Sequence, residues 1–172
     1  MRKSVEHLGP QHEVVDILVG DSIMMRVCPD FELRRFEFMR SFLASHGSLM
    51  LAKPFDYKYP SYDIGGRCYD QAREVAINCN MTYCEGVMFL NVMGKQFPLP
   101  HAWCVTQSGV LVDPTAHRIQ HKPDVLYYGV KFKTDYALSW KNRYGFHGML
   151  DGHPELGDSV GVYADPEYLW RA

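Results

Sequence analysis

The sequence predicts an α+β domain, and three observations carry that expectation. Apolar residues recur at helical spacing early in the chain, over 31–46 and 68–79. Strand-like segments gather afterwards, between 81 and 132. A glycine-containing turn, Gln107-Ser108-Gly109, separates two of those segments as in a hairpin. Helices followed by a run of strands give N-terminal helices packed on a small antiparallel sheet. At 172 residues the chain fits one domain, 1–172. Such a chain buries roughly two-thirds of its unfolded surface, so its stability needs neither a metal nor a disulfide.

Taken in order, residues 1–12 are polar and expected to be loosely held. Glu13 to Val19 is too short to assign between a strand and a helical turn. Asp30 suits an N-cap for a helix over 31–46, with Phe31, Phe36, Met39, Phe42 and Leu43 on its apolar side. Gly47 stands where a helix-terminating glycine belongs. Residues 53–66 form a loop rich in Pro, Tyr and Gly, suited to one wall of a cleft. A second helix follows from Cys68. Strands are predicted over Met81–Leu90, with a bulge at Gly86, then His101–Thr106, Val110–Asp113 and Leu126–Phe132. Asp113-Pro114 ends the third of these, because proline donates no ladder hydrogen bond. A short helix near 135–142 precedes a loop-rich wrap, within a C-terminal segment spanning 133–172.

Composition narrows the function. A formal charge of −2 gives no electrostatic reason to expect nucleic acid or an anionic membrane as a partner. Aromatic residues make up 13% of the chain but are spread along it, without an interleaved basic stripe, so they read as core and cleft lining. The cysteines, at 28, 68, 79, 84 and 104, are odd in number and too sparse for a disulfide framework. The N-terminus lacks a hydrophobic signal core, and no apolar run approaches the ~18 residues of a membrane span. The expected location is cytoplasmic.

Chemistry concentrates at Gly65-Gly66-Arg67-Cys68-Tyr69. Tyr69, Ala72, Val75, Ala76 and Cys79 share one helical face, so Cys68 opens an amphipathic helix. The positive end of the helix dipole and the unpaired first-turn N–H groups favour a thiolate there, and the thiolate is the nucleophilic form. A small apolar side chain packed under the loop fits the same position.

A cysteine nucleophile needs a base and a group that orients the base. His101 opens one strand of the hairpin and Asp113 closes the other. If Gln107-Ser108-Gly109 is a three-residue loop, Thr106 pairs with Val110 and Asp113 lies opposite Trp103. The carboxylate then shares a face with His101 and sits diagonal to it. A two-residue loop would shift the register by one and send the two groups to opposite faces.

Gly66-Arg67-Cys68-Tyr69, His101-Ala102-Trp103 and Val112-Asp113-Pro114-Thr115 together resemble the transglutaminase-like branch of the papain-like cysteine enzymes. The resemblance covers residues 60–132, the expected catalytic core, and Tyr128-Gly129-Val130 is similar to a strand in small members of that branch. It implies a papain-like core and a triad in which Cys68 is nucleophile, His101 general base and acid, and Asp113 orienter. The implied chemistry is attack on a carboxamide of a protein or peptide through a thioester, resolved by water or an amine. The Cys68 backbone N–H would be one oxyanion donor. The second donor departs from the family, since no tryptophan or glutamine lies in the loop before Cys68. Tyr62 is the substitute there, and Trp103 is a further candidate for contact with substrate.

Two other patterns have structural readings. Cys79-x₄-Cys84 with His117-x₃-His121 lacks the tight knuckle of a structural zinc site, and neither metal nor cofactor is expected. Glu85 falls in a buried strand, where a lone glutamate pairs with arginine or lysine. Beside hydrolysis, deamidation and amine transfer stands a non-catalytic reading, in which a cleft between the Tyr-rich loop and Trp103 holds a peptide.

Overall fold

Tyr83, Glu85, Val87 and Phe89 alternate with Cys84, Gly86 and Met88, so one extended segment sends side chains to two faces. In the computed structural model this segment is β2 (Thr82–Val92), at the centre of a five-stranded antiparallel sheet. The structure describes residues 39, 42–53, 58–61, 67–92, 95–120, 122, 125–144, 148–150 and 169. Around β2 the sheet adds β1 (Ser48–Met50), β3 (Lys95–Val105), β4 (Leu111–Val112) and β5 (Val125–Phe132), in the order β1-β5-β2-β3-β4. Two helices belong to the same unit, α1 (Cys68–Asn78) and α2 (Thr134–Tyr144). The chain is therefore an α+β protein. None of the described helices is long and apolar enough to cross a membrane.

Both faces of the sheet are buried. On one, Ala72, Val75 and Ala76 of α1 pack against Tyr83, Val87, Phe89, Ala102, Cys104, Tyr128 and Val130. On the other, Met50, Cys84, Met88, Trp103, Val105, Leu111 and Tyr127 form a second apolar cluster. The Cys104 thiol ties helix to sheet by donating to Ala72 O at 3.0 Å. That bond lies one turn beyond Cys68, so it fixes the start of α1 against β3.

Several sequence expectations change in detail. β3 begins before His101 and includes Pro98 and Pro100, both on the part of the strand that β4 does not pair. Proline is tolerated on such an edge because no ladder donor is required there. Gly86 is not a bulge: it pairs in regular register with both His101 and Gly129. A Cβ on it would stand 2.2 Å from Tyr128 O and 2.5 Å from Gly129 Cα, so glycine serves the close approach of β2 and β5. Of the helix predicted over 31–46, residues 42–46 are helical, and Gly47 N donates to Leu43 O at 2.7 Å. The strand β1 was not anticipated. Residues 1–12, the segment Glu13–Val19, the Asp30 cap, much of the 53–66 loop and most of the expected C-terminal wrap lie outside the described residues.

Glu85 sits with no exposure on the α1 side of the sheet. Its carboxylate accepts the Tyr83 hydroxyl at 2.6 Å and the backbone N–H groups of Met149 and Leu150 at 2.9 and 2.8 Å. Burial raises its pKa, and the charge of the buried Arg73 is the largest influence pulling it back. The Arg73 guanidinium also lies over the Tyr83 ring, 5.6 Å from its centroid. Glu85 is thus the pin that fastens the 148–150 segment to the sheet, held by three hydrogen-bond donors within the field of the Arg73 charge. Glu85→Gln turns an N–H₂ group toward one of those backbone donors. We expect it to lower unfolding stability by about 2–3 kcal/mol, read from a urea titration. An unchanged midpoint would show that the carboxylate does not hold this segment.

Candidate active site

The β3–β4 hairpin sets the site's register. Gln107, Ser108 and Gly109 form its loop, closed by Thr106 N to Val110 O and Gly109 N to Thr106 O, both 2.9 Å. Gly109 adopts a φ of +82°, the left-handed conformation that favours glycine. Cys104 pairs with Val112 and Val105 with Leu111. One step further along this ladder, Asp113 stands opposite Trp103. His101 and Asp113 therefore share a face, and His101 Nε2 lies 2.7 Å from Asp113 Oδ2.

Asp113 is held from several directions. Its Oδ1 accepts Thr115 N at 2.9 Å, Thr115 Oγ1 at 3.0 Å and Ala116 N at 2.8 Å. Its Oδ2 accepts the Tyr127 hydroxyl at 2.9 Å as well as the imidazole. The turn is closed by Asp113 N, which donates to Gln120 Oε1 at 2.7 Å. Asp-Pro-Thr is thus a local capping device: an aspartate binds the N–H groups two and three residues on, and proline restricts the backbone between them. Burial alone would raise the Asp113 pKa, but the His101 charge and hydrogen bond, then those from Ala116 and Tyr127, bring it below its ordinary value.

Both acid and base are withdrawn from water, His101 at 7% exposure and Asp113 at 0%. Burial would lower the pKa of His101. The Asp113 charge and hydrogen bond, followed by a hydrogen bond and charge from Cys68, instead push it up to about 10. Nε2 is occupied by Asp113, so Nδ1 is the ring nitrogen left for the sulfur. Among the described residues β4 pairs with β3 at Cys104 and Val105 alone, so the backbone of His101 is left unpaired by β4.

Cys68 is the first residue of α1 and is partly exposed. Its predecessor Arg67 makes no side-chain cap hydrogen bond, and arginine has no acceptor with which to make one. Arg67 instead reaches Asp70 at 2.5 Å. The first-turn N–H groups are thereby left without the side-chain cap that Ser, Asp or Asn would supply at this position. The structure hydrogen-bonds His101 to Asp113 and sets Cys68 close enough to His101 to bear on its pKa. Tyr62 lies outside the described residues.

Trp103 has a different place from the one considered for it. It has no exposure, and its indole N–H points to Met50 Sδ at 3.4 Å. The ring stacks on His101, with centroids 6.5 Å apart, and meets Tyr127 edge-on at 5.2 Å. Space for it comes from Gly129, where a Cβ would stand 2.5 Å from the indole. Alternation along β3 explains this: Trp103 projects into the second apolar cluster behind the imidazole, not toward a cleft. The participants that sequence reasoning missed are Tyr127, Thr115 as a ligand of Asp113, and Gln120. Thr115 was legible, since threonine two residues after aspartate is a turn signature. Nothing local marks Tyr127.

Compared with protein-family models, curated proteins and solved structures, the chain matches no family model, no curated protein and no solved structure.

The paired shifts set the direction of a pH test. Unfolded, histidine titrates near ~6.5, whereas His101 in the fold titrates at about 10. Its contribution to stability is full below ~6.5 and is lost as pH rises through the folded value. The contribution of Asp113, whose pKa is lowered, is present above ~4 and is lost in acid. Asp113→Asn should flatten the fall of the thermal midpoint from ~6.5 upward, because burial would then keep His101 neutral. Parallel pH profiles for the two proteins would contradict the pairing.

Proposed function

We propose that this chain is a cysteine-dependent acyl-transfer enzyme acting on carboxamides of proteins or peptides, on a transglutaminase-like, papain-like core. One observation carries the reading: the buried Asp113 carboxylate holds the His101 imidazole at 2.7 Å, and Cys68, at the start of α1, is close enough to that imidazole to bear on its pKa. Nucleophile, base and orienter in that relation activate a sulfur for attack on a carbonyl carbon.

The steps follow from the geometry. His101, which Asp113 keeps in its charged form, stands beside the sulfur, and the attacking form of Cys68 is the thiolate. The sulfur adds to the amide carbonyl, and the oxygen takes up the negative charge beside the Cys68 N–H at the positive end of α1. The His101 imidazolium protonates the leaving nitrogen, the C–N bond breaks and a thioester remains. His101, now neutral, accepts a proton from the water that attacks the thioester; the carboxylic acid leaves and gives its proton to solvent, and the sulfur is restored as the thiolate beside a protonated His101. An incoming amine in place of water would give transamidation. Asp113 keeps its charge throughout and holds the ring with Nε2 turned away from the sulfur.

The alternative of a peptide-binding protein relied on Trp103 as a cleft wall. The burial of that indole removes this support.

Incubation with a broad peptide library, followed by mass analysis, distinguishes the outcomes: fragments for a peptidase, a gain of about one dalton for a deamidase, cross-linked products for a transferase. Cys68→Ala should abolish whichever product appears, and Asp113→Asn should reduce its rate by roughly 10³–10⁴-fold. A library unchanged by the wild-type chain, or changed equally by Cys68→Ala, would overturn the proposal.

A further inference from the structure

Among the described residues, five hydrogen bonds converge on the Asp113 carboxylate, and four have evident roles. Three come from its own turn and orient Oδ1; the fourth is the bond to His101. The fifth comes from Tyr127, on a strand separated from β3 by the whole width of β2. The Tyr127 side chain is fully buried, packed edge-on against Trp103 and tilted against His101 with centroids 6.4 Å apart. Phenylalanine would fill the same apolar space. The hydroxyl is the feature that packing leaves unexplained, and it meets the one carboxylate oxygen that faces the imidazole.

We propose that Tyr127 is a positioning residue for the His101–Asp113 pair, holding Asp113 Oδ2 against the imidazole and drawing carboxylate charge away from the ring. Hydrogen-bond donors compete for the carboxylate charge. Oδ1 has three donors of its own, so the turn fixes it with or without Tyr127. Oδ2 accepts from the imidazole and from the phenol, and losing the phenol would concentrate the negative charge toward Nε2. A carboxylate with fewer donors is a stronger base and a stronger partner for a cation. The other titratable groups that bear on the pair are Cys68, beside His101, and, from the opposite face of the sheet, the buried Cys104 thiol, which senses the Asp113 charge. Tyr127 itself stays neutral, since burial and then the Asp113 charge raise its pKa.

The inference gives the proposed active site a tuning element and rests on that reading for its catalytic meaning. Its test does not require turnover. In the full-length chain labelled at histidine, NMR titration of His101 gives the midpoint directly. Tyr127→Phe should raise that midpoint by about half a unit to one unit. Replacing Tyr127 with a fluorinated tyrosine, which keeps the ring and sharpens the O–H as a donor, should lower it. An unmoved midpoint in both, or a fall in Tyr127→Phe, would overturn the proposal even if stability changed, because a purely structural tyrosine would shift stability alone. Should Tyr127→Phe fail to fold, the fluorinated protein still decides the matter. A chain inert toward peptides but showing these shifts would retain the tuning and lose the enzyme; an active chain without them would do the reverse.

Discussion

A buried carboxylate 2.7 Å from a buried imidazole is the constraint around which the hairpin, its turn and the second apolar cluster are arranged. Removing either group from water costs several kcal/mol unless its hydrogen-bonding capacity is met. That requirement explains otherwise separate features. Thr115 and Ala116 turn their N–H groups back on Asp113, Tyr127 spans the sheet to reach it, and Gln120 closes the loop behind it. Trp103 roofs the pair with hydrocarbon, which removes water and strengthens the attraction.

The sheet divides its work between two faces. On the α1 side a second buried carboxylate, Glu85, fastens the 148–150 segment, and the Cys104 thiol seats the helix against β3. On the opposite side Asp113 and Trp103 sit beneath His101. The two halves meet where His101, on β3, is near Cys68, the first residue of α1. Each helix-side contact bears on the site because it decides where Cys68 stands relative to the ring.

Much of this arrangement was legible in the residues. The helix from Cys68, the central strands and the three-residue loop at Gly109 followed from local pattern, and loop length fixed which face carried Asp113. Gly86 was misread as a bulge because close backbone approach and bulging leave the same glycine in a sequence. Trp103 departs from the expected cleft because strand alternation puts it beside buried Cys84 and Tyr127, and an aromatic residue suits a core and a cleft wall equally. β1 is too short for periodicity to reveal. Tyr127 is a long-range partner, its place set by strand order and not by any neighbour in sequence.

The central claim is that the Cys68 sulfur is activated by His101, and differential alkylation tests it most directly. Cys68 and Cys79 are both partly exposed and bracket the same helix, whereas Cys84 and Cys104 are buried thiols whose pKa values burial raises. Exposure alone would therefore give Cys68 and Cys79 comparable reactivity. Iodoacetamide at neutral pH, with modified peptides quantified by mass spectrometry over time, should label Cys68 far ahead of Cys79, and His101→Ala should erase that lead. Equal labelling of the two, or a lead that survives the loss of His101, would contradict the account.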